Sequence, residues 1–152
     1  MTFVLRSPMF QDGGAIPERY ARDADNVSPP LRWSGAPAKA KSLVLIMEDP
    51  DAPSGVFRHW LIHGIRPEQS RLREGSGSES ETLRQAVNDF GRPCYDGPRP
   101  PAGHGVHHYH FKLAALDVSQ LDVSANANAN EVWDAALPHI IDQAELVGTF
   151  QR

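Results

Sequence analysis

A single cysteine, Cys94, stands in a chain of 152 residues, so no internal disulfide can staple the fold, and a reducing, cytoplasmic setting is expected. Long apolar runs are missing too. The longest extends from Leu43 to Met47, whereas a membrane-spanning helix needs about 20 residues, so no integral membrane segment is expected. Arg6 and Pro8 occupy the place where an export signal would carry its apolar stretch, which argues against export. Basic excess is absent: the formal net charge of -4 disfavours a nucleic-acid binder working through a general basic surface. No GK[ST] follows a glycine loop and no GxSxG elbow occurs, which removes the phosphate-loop and serine-elbow chemistries. What is plentiful is turn material and imidazole, with 13 Pro, 12 Gly and 7 His. The length predicts one domain over residues 1–152 with one substantial core.

Proline and glycine without a short period point to many turns between short strands. Ser42 to Glu48 (SLVLIME) reads as a buried strand, Arg58 to Ile65 (RHWLIHGI) as a second, and His107 to Leu116 (HHYHFKLAAL) as a third. Arg66 to Gln85, with its GSGSESE stretch, reads as an exposed loop. Towards the C-terminus, Asn130 is placed to cap a helix with Glu131 in its first turn. Val132, Trp133, Ala136, Leu137, Ile140 and Ile141 form its apolar stripe, which Pro138 kinks or divides. Glu145 to Phe150 is a candidate final short strand. The expected class is mainly β (α+β), with a short C-terminal helical element.

Strand parity then groups the chemistry. His107, Tyr109, Phe111 and Leu113 share one face of the third strand, with His108, His110 and Lys112 on the other. Leu43, Leu45, Met47 and Asp49 share a face of the first strand. Asp49 opens an Asp49-Pro50-Asp51-Ala52-Pro53 turn that two prolines stiffen. His59, flanked in parity by Phe57 and Leu61, lies in the second strand. One acid and two imidazoles at strand ends can line one pocket. Each residue alone also has a plain structural reading, as a turn-forming aspartate or a hydrogen-bonded core histidine. The glycine- and proline-rich stretch Tyr95 to His107 (YDGPRPPAGHGVH) can present backbone N–H groups to an anion or be a stiff connection.

Taken in order, NVSPPLRW (Asn26 to Trp33), MEDPDAP (Met47 to Pro53), His59-Trp60, NDFG (Asn88 to Gly91), YDGPRPPAGHGVHHYHF (Tyr95 to Phe111) and LVGTFQR (Leu146 to Arg152) resemble the phosphatidylethanolamine-binding protein family. The resemblance is to its small bacterial and archaeal, Raf kinase inhibitor-like branch. It implies a compact Greek-key structure with a large antiparallel sheet, a smaller second sheet and C-terminal helical elements. It also implies a pocket for phosphate, carboxylate or phosphoethanolamine head groups, with no cofactor. By position the pocket residues are Asp49 with Asp51, His59, His107 and Tyr109, with Gly97 and Pro98 at the wall. His108 stands where the family usually has Arg, and His63-Gly64 departs from the usual apolar continuation of the second strand.

The function this implies is a non-enzymatic binder of a small anionic or phosphorylated ligand. A regulatory role, such as inhibition of a kinase or peptidase partner, and a homodimeric state come with the resemblance. Protonated His59 or His107 would hold the anion, and Asp49 would orient an imidazole or receive a ligand ammonium. The alternative is a hydrolase built on the Asp/His pocket, using Cys94 or a metal held by His104, His107 and Asp49.

Overall fold

The computed structural model describes residues 2–79 and 83–152. Within them the chain is mainly β, with two antiparallel sheets and one short helix near the C-terminus. The small sheet contains β1 (Val4–Arg6), β2 (Leu31–Ser34) and β5 (Arg71–Leu72), in that spatial order. The large sheet has the order β6 (Arg84–Gln85), β4 (Phe57–Ile65), β3 (Ser42–Asp49), β7 (His107–Leu116), β8 (Ile140–Phe150). After β4 the chain leaves the large sheet, contributes β5 to the small one, re-enters as β6 beside β4, and returns as β7 on the far side of β3. That long return is a Greek-key connection.

The central position of β3 explains its apolar run. Leu43, Leu45 and Met47 pack towards the small sheet with Leu5, Leu31 and Trp33. Val44 and Ile46 pack on the opposite face with Leu61, Val132, Trp133 and Ala136. A strand covered on both faces has no solvent side and so no polar alternation.

The helix α1 (Ala129–Ala136) begins one residue before the expected cap. Asn128, not Asn130, is the N-cap: its side chain accepts from the Glu131 N–H at 2.8 Å, and Glu131 accepts from the Asn128 N–H at 3.2 Å. Only a cap three residues before a Glu closes this reciprocal pair, and residue 133 is Trp. The apolar stripe also stops early. Pro138 sits in a 3-10 turn, Leu137–His139, and Leu137 and Ile141 are 51% and 42% exposed. β8 takes over at Ile140, well ahead of the expected Glu145.

The Arg66 to Gln85 loop is less exposed than its composition predicts. It supplies β5 and β6, and Leu72 and Gly77 are buried within it; residues 80–82 of that stretch lie outside the described residues. No described helix is long and apolar enough to cross a membrane.

Two irregularities in the β3–β4 ladder matter for the site. Leu43 pairs with Ile65 and Leu45 with Ile62, so β4 carries one extra residue there, and Gly64 takes φ of 67°, which a side chain resists. Met47 pairs with Trp60 but Glu48 with Arg58, which leaves His59 as a second extra residue.

Candidate functional site

The end of β3 lies beside the starts of β4 and β7, because both neighbours run antiparallel to it. That places Asp49, His59 and His107 at one rim. The bulge at His59 does the fine aiming, as bulges commonly do. Strict alternation would group His59 with Leu61; instead Leu61 faces α1, while Trp60 and Ile62 face the small-sheet side. The expected parity of Phe57, His59 and Leu61 therefore fails at Leu61. The His59 ring packs edge-on against Tyr109 at 5.3 Å and Phe57 at 5.0 Å between centroids.

His107 donates from Nδ1 to Asp49 Oδ2 at 2.6 Å, and both side chains are almost wholly buried. The other ring nitrogen, Nε2, lies 2.6 Å from His104 Nδ1, so the three groups form a chain running outward to an exposed histidine. Asp49 Oδ1 accepts the Asp51 N–H at 2.8 Å, which locks the proline-flanked turn. Asp51 Oδ2 accepts the His108 N–H and lies 2.8 Å from His108 Nδ1. The His108 hydrogen bond holds the Asp51 carboxyl below its ordinary range.

His59 Nδ1 lies 2.8 Å from the main-chain oxygen of Asp96. A carbonyl oxygen only accepts, so Nδ1 carries the proton and Nε2 is left as an acceptor. Burial pushes His59 below its ordinary pKa. His59 is therefore a neutral acceptor and not the positive charge expected of it. Arg99 is the arginine that lines this cavity, and its side chain also pairs with Asp23, Nε to Oδ1 at 3.2 Å. Asp96 itself is fully buried, accepting from Asn26 Nδ2 at 3.0 Å and Asn88 Nδ2 at 2.8 Å, with Arg22 and Arg92 each at 3.6 Å.

A cavity of about 260 Å³ opens among these groups. Asp49, His59, His107, Tyr109 and Arg99 line it, with Phe57, Phe90, Pro100 and Pro101 as apolar walls. The Tyr109 hydroxyl is buried, with the Asp49 carboxylate beside it, and no described residue partners it at full hydrogen-bond geometry. Burial, and then the nearby Asp49 carboxylate, push its phenol well up, so it remains a donor.

Four expected site residues thus meet at the cavity: Asp49, His59, His107 and Tyr109. Asp51, Gly97 and Pro98 do not line it. Asp51 braces His108 outside. Gly97 is packed behind the site, where a Cβ would fall 1.9 Å from the Tyr20 oxygen and its N–H bonds Asn26 Oδ1 at 2.8 Å. The Pro98 oxygen accepts the Arg22 N–H at 3.1 Å. The wall is supplied by Arg99 to Pro101 instead. Arg99, Phe57, Phe90 and Asp96 were not anticipated. NDFG and YDGPRPP were visible as motifs, but only the folded chain shows which of their side chains turn inward.

Cys94 is buried and lines a different depression, beside Asn26, Ser28 and Arg92. Burial and then the Asp96 charge raise its thiol pKa, which works against a thiolate nucleophile. Among the described residues no group of three or more His, Cys, Asp or Glu is placed to hold a metal ion.

A family model described as "Phosphatidylethanolamine-binding protein" matches residues 6–151. A UPF0098 protein of Methanothermobacter thermautotrophicus is 44% identical over 151 residues, covering 97% of this chain and 98% of its own length. A Mycobacterium tuberculosis protein whose name, LppC, marks it as a candidate lipoprotein is 41% identical over 97% of this chain and 71% of its own. Among solved structures, YbcL of E. coli, described as a new member of the mammalian PEBP family, superposes with a TM-score of 0.93 at 28% identity, covering 100% of this chain and 99% of its own. A phosphatidylethanolamine-binding protein homologue of Chlamydia trachomatis gives 0.88 at 36% identity, covering 99% and 98%.

Proposed function

This chain belongs to the phosphatidylethanolamine-binding protein family, and from that premise we propose that its cavity binds a small phosphorylated or carboxylate head group without turning it over. The observation that carries this reading is the buried, unpartnered Tyr109 hydroxyl in a cavity that also holds Arg99 and the His59 ring. A buried hydroxyl left unmatched costs about 1–3 kcal/mol, which a ligand oxygen would recover. Tyr109 and Arg99 donate to the anion's oxygens, Arg99 with charge assistance. A protonated phosphate oxygen, or the ammonium of phosphoethanolamine, donates to His59 Nε2. Asp49 holds His107 and offers its remaining lone pairs to an ammonium.

Binding without turnover is supported by the lining itself. Its one aliphatic hydroxyl, Ser54, has no hydrogen-bonded base among the described residues, and the thiol lies elsewhere. A regulatory role, inhibition of a kinase or peptidase, belongs to the same reading; a captured partner retained by His107→Asn would detach that role from the cavity. Homodimerisation and cytoplasmic residence are the remaining parts. Light scattering giving a monomer mass over a wide concentration range removes the first, and recovery in the membrane fraction of cells removes the second.

Calorimetric titration with phosphate, phosphoethanolamine and acetate tests the cavity. The wild-type chain is expected to bind at least one of them, and Tyr109→Phe and Arg99→Ala are each expected to weaken binding about tenfold. No heat from any of the three, or equal affinity in both variants, would sink the reading.

A further inference from the structure

The small sheet carries a row of like charge. Arg6 lies directly opposite Arg32, and Arg32 directly opposite Arg71. Directly opposed residues project from the same face, so three guanidinium side chains leave the outer face of adjacent strands about 4.8 Å apart. All three are exposed, while Leu5, Trp33, Leu31 and Leu72 occupy the inner face.

None of the three forms an ion pair with any described residue. The acids nearby are committed: Glu68 pairs with Arg66, and Glu74 pairs with Arg19 and accepts from the Tyr20 hydroxyl. Like charges directly opposed destabilise a sheet. A chain of net charge -4 has carboxylates in excess, yet the one that lines the neighbouring cleft, Glu74, is paired with Arg19 and with none of the three. Beside the row lies a cleft of about 410 Å³ whose apolar lining includes Pro8, Pro30, Leu31 and Leu72, with Arg32, Arg71, Arg73 and the Arg19-paired Glu74 around it.

We propose that the Arg6–Arg32–Arg71 row and this cleft form a docking surface for an acidic polypeptide segment that carries an apolar anchor side chain. The carboxylates pair with the guanidinium forks, which match them geometrically, and the anchor enters the cleft. A concave apolar floor suits a side chain better than a planar bilayer surface. Charge is felt only over roughly 8–10 Å at ordinary ionic strength, so a short acidic segment meets the row alone. A long nucleic acid would also meet the net-negative remainder of the protein.

Fluorescence anisotropy with a dye-labelled peptide, two glutamates on each side of one leucine, tests this on the whole chain. The peptide is expected to bind, to weaken as salt is raised, and to lose at least tenfold in affinity with Arg32→Glu/Arg71→Glu. Arg32→Gln/Arg71→Gln relieves the repulsion, so it is expected to melt no lower than the wild-type chain while still losing the peptide. Tyr109→Phe is expected to leave peptide binding unchanged, which separates this surface from the head-group cavity. The proposal is overturned if the folded glutamine variant binds as tightly as wild type, or if a peptide with glutamines for glutamates binds equally. It is also overturned if phosphatidylserine vesicles or single-stranded oligothymidine bind through this row and the peptide does not.

Discussion

His59 Nδ1 points at the main-chain oxygen of Asp96, 2.8 Å away, and not at a carboxylate. The distinction fixes the chemistry of the ring. A carboxylate partner would favour an imidazolium; a carbonyl in a buried site favours the neutral tautomer with the proton on Nδ1. The cavity then receives an acceptor nitrogen from His59, and in the proposed binding mode the donors are Tyr109 and Arg99.

That neutrality makes stability depend on pH. Burial lowers the folded-state pKa of His59, whereas the unfolded value is about 6.5. Above 6.5 the ring is neutral in both states and costs nothing. Below it the unfolded chain takes a proton that the folded chain refuses, so stability falls as pH falls from 6.5 and levels off below the folded value. His59→Asn keeps a donor towards Asp96 but cannot titrate. Urea unfolding between pH 5 and 8 is expected to show a shallower acid loss in this variant than in wild type, and parallel curves would refute the assignment.

Asp96 is expected to be the most sensitive position behind the cavity. Asp96→Ala strands the Asn26 amide, leaves the Asn88 amide only the Cys94 and His59 carbonyls, and deprives Arg22 and Arg92 of their shared acid. A loss of about 3 kcal/mol is expected, with Asp96→Asn milder. A loss below about 1 kcal/mol in denaturant titration would show that the network is not structural.

How much of this could be read in advance differs between fold and site. β3 and β7 announce themselves because one is apolar on both faces and the other alternates. β1, β2, β5 and β6 are two to four residues long, too short for any period to emerge. The Asn128 cap hides in a run where three asparagines alternate with alanine, and only the reach of Glu131 selects among them. At the site, parity placed Asp49, His107 and Tyr109 correctly, because β3 and β7 stay regular in their pairing there. It misassigned Leu61 as a face-mate of His59, because a bulge shifts the count by one, while Phe57 does share the site. Gly97 looked like a pocket glycine, yet its missing side chain serves contact with the Tyr20 carbonyl.

Tyr109→Phe separates binding from folding. The hydroxyl satisfies no described partner, so its removal is expected to leave the melting temperature unchanged or raise it. The ring keeps its packing against His59 and His107. Phosphate affinity, in contrast, is expected to fall about tenfold. A marked destabilisation together with full phosphate binding would place the hydroxyl in the core network instead of at the ligand.

His104 sets the availability of His107. Asp49 holds His107 Nδ1, and His104 lies 2.6 Å from Nε2, so neither ring nitrogen of His107 is free for a ligand. His104 is exposed and outside the cavity lining, and its truncation is expected to change stability by no more than about 0.5 kcal/mol. Removing it releases Nε2 at the cavity edge, adding one hydrogen-bonding position for the head group. His104→Ala is therefore expected to raise phosphate affinity several-fold by calorimetry, and the gain is expected to vanish in His104→Ala/His107→Asn. Asparagine can take up the Asp49 bond but offers nothing at the Nε2 position, so the double variant reports on that nitrogen alone. A fall in affinity in the single variant would identify His104 as a ligand contact in its own right, and would overturn its assignment as a cap on His107.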